Sequence, residues 1–252
     1  MDPALIARLA ADLTAADFTV DGLNELWGED AAAALHRGQR VPALRAGARR
    51  IASQSRDASA DEAVLRRFLL AKALVLGYPV DPAALDRALP TLTAAGAVAL
   101  GLVDATGSPL LDLRPYSVVD ARGVAACWIA SDLGELALGH AIPEHHVLGV
   151  GGASMTLSGL MLAEPVDLAL DLGTGCGIQA LHAARHAKRV IATDISERAL
   201  ELARFNATLN GFANIEFRLG SLFEPVAGER FGHVVSNPPF VITPRIAGVP
   251  EY

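Results

Sequence analysis

Asp171-Leu172-Gly173-Thr174-Gly175-Cys176-Gly177 is the stretch on which the fold turns. It closes the apolar run 166–170, broken only by Asp167, and opens a segment, 178–186, with the apolar spacing of a helix. Glycines at alternate positions carry no Cβ, so the backbone can turn sharply and come close to a ligand, its amides and the helix start facing it. A nucleotide-type ligand is implied, and a purely structural tight turn has the same pattern.

Outward from this turn the chain alternates. Strands are expected at 166–170, 189–193, 215–218 and 232–235, and helices at 178–186 and 197–210. Such alternation makes a parallel sheet with right-handed crossovers, the α/β class. Asp194 closes the second strand, where a carboxylate can accept two hydrogen bonds from a ribose diol. A dinucleotide fingerprint requires G-x-G-x-x-G, and counting from Gly173 and Gly175 places Ile178 where the last glycine belongs. The glycine spacing therefore turns away from NAD.

After the fourth strand stands Asn237-Pro238-Pro239-Phe240. Consecutive prolines fix the backbone and offer no N–H, so the Pro238 carbonyl and the Asn237 side-chain oxygen can both accept from an amino group. Phe240 offers a flat face for a planar acceptor. Catalytic work is expected of Asn237, Pro238, Pro239 and Phe240.

Taken in this order, 171–177, Asp194 and 237–240 resemble motifs I, II and IV of the class I amino methyltransferases, of the "methyltransferase small domain" kind. The resemblance covers about residues 167–245. It implies a Rossmann-like class I core binding S-adenosyl-L-methionine. Asp171, Gly173, Thr174, Gly175 and Gly177 would take the methionine end, Asp194 the ribose, and Asn237 the reacting region. Residues 220–223 resemble the adenine-binding motif, with Ser221 standing where many relatives carry an acid and Leu222 offering a backbone amide. In such families the acceptor is a planar amino nitrogen: guanine N2 or adenine N6 of RNA, or a glutamine side chain in a protein. More distantly, the arrangement resembles the two-domain actinobacterial methyltransferases. A nucleic-acid-binding regulator with a vestigial cofactor fold is the reading from another class; intact Asp194 and Asn237 weigh against it.

Upstream, the chain reads as mostly helical. Asp2-Pro3, Asp21, Pro42 and Asp81-Pro82 start helices, and 59–76 is a longer one that Gly77 stops. A hairpin is expected from 97–103 and 110–113 around the turn 104–108, giving a winged-helix-like order, with further strands at 116–119 and 124–130. Residues 132–158 read as a connector interrupted by Gly149, Gly151 and Gly152. The division expected is 1–148 for substrate recognition and 149–252 for the cofactor.

The 252 residues are 52% hydrophobic, enough to bury a large core, and no apolar run approaches the roughly 20 residues of a membrane span. With no secretory signal at the N-terminus and only Cys127 and Cys176, a cytoplasmic protein without disulfide framework or zinc cluster is expected. A net charge of −7 argues against general coating of nucleic acid, yet Arg37, Arg40, Arg45, Arg49, Arg50 and Arg56 follow one another without an acid. That run reads either as a solvated helix face or as a local anion-binding patch. His140, Glu144, His145 and His146 read as a surface loop rather than a metal site. The resemblance also implies a larger sheet than the four strands readable before Tyr252, so a further C-terminal segment is expected to complete it.

Overall fold

The computed structural model describes residues 1–53, 58–120, 122–139, 142–143 and 145–238. The N-terminal region is built from helices whose starts are set by capping side chains. In α1 (Pro3–Ala15), Asp2 accepts the Ala4 amide at 2.8 Å and Pro3 brings a φ already suited to a helix. Thr19 caps α2 (Val20–His36) through the Gly22 amide at 2.9 Å. This helix is longer than the short one expected at Asp21, because the chain kinks at Gly28 (φ 76°) and continues. α3 (Val41–Ser53) packs along α2 and carries the arginines.

α4 (Ala58–Leu70) runs into a π-helical turn, Ala71–Val75, before Gly77 ends the segment at φ 68°. α5 (Pro82–Ala88) is capped by Asp81 on the Ala83 amide. Arg67 holds these helices together from inside. Its guanidinium donates to Ala16 O, Gly22 O and Asp17 Oδ2, so all three bonds converge on the α1–α2 junction.

Two sequence expectations need correction here. The stretch 97–103 does not form the expected hairpin strand: α6 (Thr93–Ala99) occupies its start, and its end is held by the Val103–Pro109 bridge and by the Leu110 and Leu111 amides donating to Leu102 O. Apolar runs of this length do not distinguish a strand from a buried helix, and alanine at four of the seven α6 positions favours the helix. The hairpin is instead β1 (Leu111–Asp120) against β2 (Gly123–Asp132), in register from Leu111↔Asp132 to Asp120↔Gly123. The hairpin still follows the helices, one segment later along the chain than expected. The connector also contains regular structure, α7 (Glu135–Leu138) and α8 (Gly152–Leu160). Gly152 starts α8 rather than breaking it.

The second half is a parallel α/β sheet. β3 (Val166–Leu172), α9 (Ile178–Ala184), β4 (Ala187–Asp194), α10 (Glu197–Leu209), β5 (Ile215–Leu219) and β6 (His233–Ser236) follow in sequence, with spatial order β5-β4-β3-β6. On one face Ala169, Val190 and Ala192 pack against Ala180, Ala183 and Ala184, small residues that let α9 lie close. On the other, Leu168, Leu170, Leu172 and Ile191 gather with Val226 and Phe231.

The hairpin joins the halves. One core cluster runs from Leu9 and Phe18 through Leu113 and Ile129 to Ile178, Leu202 and Phe205. Among the described residues no helix is long and apolar enough to cross a membrane.

Candidate active site

Register brings the site together. Leu172 pairs with Thr193 on one side and Ser236 on the other, so Gly173, Asp194 and Asn237 all leave the same carboxyl edge of three adjacent strands. In open α/β sheets this edge is where ligands bind. The turn is sewn to β4, with the Gly173 and Thr174 amides both donating to Thr193 O at 2.9 Å.

Each glycine of the turn has a backbone reason. Gly173, Gly175 and Gly177 lie at φ 71°, 55° and 87°, a region L side chains avoid. A Cβ on Gly173 or Gly175 would meet nothing within 4 Å, so both open onto empty space. A Cβ on Gly177 would stand 3.0 Å from the Ala203 Cβ, which shows how closely α10 passes the turn.

Two carboxylates line the turn with different chemistry. Asp194 accepts the Gly175 amide on Oδ2 and the Ser196 amide on Oδ1, both at 2.9 Å. Each oxygen keeps a second lone pair for a ligand hydroxyl. Asp171 is 1% exposed; Thr174 Oγ1 donates to its Oδ2 at 2.6 Å, while Oδ1 is buried without a partner. Burial drives its carboxyl up to about 7, the Thr174 hydroxyl opposing and the neighbouring Asp194 charge adding. Cys176 is also buried, and its thiol, pushed up to about 11 by that burial, remains protonated and is no nucleophile at neutral pH.

Gly220, Ser221 and Leu222 reach the same edge, since the Gly220 amide donates to Asp194 O at 3.0 Å. Ser221 O accepts the Glu224 amide, and Leu222 adopts a left-handed φ of 46° with its side chain 70% exposed. Ile195, directly after Asp194, is 75% exposed. Two large apolar side chains thus stand in solvent beside Asp194.

Asn237 is positioned from outside its own strand. Its Nδ2 donates to Ser154 Oγ at 3.1 Å, and Ser154 O in turn receives Gln179 Nε2 at 3.0 Å. Donation through Nδ2 leaves Oδ1 as an acceptor. Pro238 follows, exposed; Pro239 and Phe240 lie outside the described residues, as do Arg56, His140 and Glu144. His233 on β6 meets His186, Nδ1 to Nε2 at 3.1 Å, and its pKa is lowered by burial. Sequence reasoning missed Ser154, Ile195 and Asn206. Asn206, fully buried on α10, donates from Nδ2 to Ala130 O and Cys176 O and accepts the Ala130 amide, joining the hairpin to the glycine turn. A pair of asparagines one helical turn apart, Asn206 and Asn210, was the available signal.

Residues 151–247 match the Methyltransferase small domain. Residues 15–114 match a second model, Domain of unknown function (DUF7059). A 75-residue segment is 47% identical to a release factor glutamine methyltransferase of Aliivibrio fischeri, covering 29% of this chain and 26% of the relative. A 23S rRNA (uracil(1939)-C(5))-methyltransferase of Marinomonas sp. is 37% identical over 86 residues, 34% of this chain and 19% of the relative. The chain thus spans about a quarter or less of the length of these curated relatives. Among solved structures, the 16S rRNA N2 G1207 methyltransferase of T. thermophilus, in complex with AdoMet and guanosine, is 22% identical at TM-score 0.37, covering 52% of this chain and 34% of that one. The methyltransferase small domain includes every described site residue named above except Asn206's hairpin partner Ala130.

Proposed function

We propose that the chain is an S-adenosylmethionine-dependent N-methyltransferase acting on a planar amino group. The observation that carries this is Asn237, held by Ser154 with its oxygen available, at the same strand edge as an open glycine cradle and Asp194. The residues fit the cofactor. Space lies open over Gly173 and Gly175, Asp194 keeps lone pairs for two hydroxyls, and Ile195 and Leu222 offer apolar surface of the kind a purine needs.

When bound, S-adenosylmethionine supplies a methyl carbon already activated by its sulfonium. The protein then has to orient a nitrogen lone pair toward that carbon, so positioning outweighs acid–base catalysis. Asn237 Oδ1 and the Pro238 carbonyl accept the amine hydrogens. This draws a conjugated nitrogen toward pyramidal geometry, an interaction stronger in the transition state than in the ground state. The sequence assigns stacking of the acceptor to Phe240. In this reading 1–148 present the substrate and 149–252 hold the cofactor.

The favoured acceptor is an exocyclic base amine of RNA, for which the acid-free arginine run of α3 speaks. Glutamine in a protein is the second reading, because the 47% identity is to release factor glutamine methyltransferases. Both are planar amines to which Asn237 is suited.

Calorimetric titration of S-adenosylmethionine, with methyl transfer to RNA and to release factors measured in parallel, tests the proposal. Asp194→Ala is expected to abolish measurable binding. Asn237→Ala should bind the cofactor within about threefold of wild type while turnover falls by about 10² or more, the scale of losing one preorganised hydrogen-bonding group. Equal losses of binding and turnover in Asn237→Ala would remove Asn237 from the chemistry.

A further inference from the structure

Several arginines pair with carboxylates: Arg66 and Arg87 with Glu62, Arg67 with Asp17, Arg114 with Asp112, Arg198 with Asp132, Arg218 with Glu216 and Glu229. Arg37, Arg45, Arg49 and Arg50 are exposed and, among the described residues, take no carboxylate partner. They share one helical pair, at the end of α2 and along α3, and α3 contains no acid. Arg45 and Arg49 lie one turn apart, about 6 Å along the axis. In a chain with 28 acids against 21 lysines and arginines, an acid-free guanidinium face runs against the composition.

A pocket of about 290 Å³ lies beside the chain segment that joins α2 to α3, lined by Leu35, Gly38 and Arg40 and bounded by the π-helical turn, β1 and the segment after β2. Two guanidiniums are fixed in its wall. Arg40 Nη1 donates to Leu76 O at 2.7 Å and the group lies 4.9 Å over the Tyr78 ring. Arg114 Nε bridges both Asp112 oxygens at 2.8 and 2.9 Å, and Nη2 reaches Val75 O. Glu135 adds a carboxylate to the lining.

Such a lining is bipolar. Planar guanidiniums suit a phosphate, and carboxylates suit the amino hydrogens of a base. One lining residue, Leu133, follows Asp132, whose carboxylate is held by Arg198 Nη2 at 2.8 Å in the first turn of α10, the helix that begins three residues after Asp194.

We infer that this face is a track for single-stranded RNA, with phosphates along Arg37, Arg45, Arg49 and Arg50 and one nucleotide in the Arg40–Arg114 cavity. The inference rests on the reading of an RNA amine as acceptor and deepens it. Affinity on such a track comes from guanidiniums displacing counterions, and for single strands the logarithm of affinity falls with that of salt by about 0.7 per phosphate neutralised.

The test is fluorescence anisotropy of the full chain with a labelled single-stranded RNA over a salt series, comparing Arg45→Ala/Arg49→Ala with Arg8→Ala/Arg230→Ala. The second variant removes two exposed arginines elsewhere and has the same net charge. Loss of about tenfold or more in affinity, and a salt slope lowered by about 1.4, are expected in the first variant alone. Arg114→Ala should weaken binding with little change of slope beyond one charge. Cofactor affinity should stay at wild type throughout, which also shows that the variants are folded. Equal effects of the two double variants, with RNA still methylated, would overturn the track and leave the RNA reading standing. No RNA binding by wild type, with methyl transfer to a release factor instead, would overturn both.

Discussion

At the scale of single residues, Asp171 gives the clearest handle. An ordinary aspartate titrates near 3.9 in an unfolded chain, whereas burial holds this one at about 7. Below about pH 4 both states are protonated. Between about 4 and 7 the folded state keeps a proton that the unfolded state has released, so stability falls as pH rises through that window and levels off above it. The full shift corresponds to at most about 4 kcal/mol. Asp171→Asn, which keeps an oxygen for the Thr174 hydroxyl, removes this contribution. Scanning calorimetry from pH 5 to 7.5 should show the variant gaining stability relative to wild type as pH rises; a constant difference would mean that Asp171 is ionised throughout. Asp171, Gly173, Thr174, Gly175 and Gly177 could be picked out because their spacing along the chain is the spacing of the turn itself, and Asp194 because it closes the next apolar run. Ser154 was not, because its place beside Asn237 depends on a contact between residues 83 apart.

Among elements, α10 shows how a side chain can substitute for a strand. Asn206 pairs with both backbone groups of Ala130, and Asn210 likewise takes the Trp128 amide on Oδ1 and gives Nδ2 to Trp128 O. The two amides thus satisfy alternate residues along β2 from a helix. Only Asn206 also reaches Cys176 O in the glycine turn. Alanine at either position strands backbone groups, each costing about 1–3 kcal/mol. Asn206→Ala and Asn210→Ala should therefore both lower the denaturant midpoint, and only Asn206→Ala should weaken cofactor binding, by about tenfold. Matching cofactor affinities in the two variants would confine Asn206 to the hairpin. The parallel strands were readable from their apolar runs, since a strand buried on both faces advertises itself locally. The strands expected at 116–119 and 124–130 lie within β1 and β2, whereas α6 and the short α8 were missed: an apolar run as short as α6 fits strand or helix, and α8 buries only serines, Ser154 and Ser158, which carry no hydrophobic period.

For the whole molecule, the helical N-terminal region and the parallel sheet share one core. Composition and motif spacing suggest two units, because they register a change of rhythm and not the packing across it. The core cluster is continuous, however, and Phe205 of α10, 2% exposed, lies in the same cluster as Phe18 and Trp27. Trp128 adds a bond from Nε1 to Phe18 O at 2.7 Å, fixing the hairpin to the loop after α1. Both tryptophans, Trp27 and Trp128, lie on the N-terminal side, so fluorescence reports that region while far-ultraviolet circular dichroism reports all helices. Phe205→Ala should cost about 3–5 kcal/mol as a cavity in the shared core. If the halves are one cooperative unit, the fluorescence and dichroism midpoints should fall together, although the substitution lies in the cofactor half. A dichroism step that moves to lower denaturant while tryptophan fluorescence holds its wild-type midpoint would show instead that the hairpin transmits no stability between them. The same coupling bears on function: a substrate that tightens the hairpin would then tighten the Cys176 turn through Asn206, and cofactor binding would strengthen by the same factor that it strengthens the substrate's.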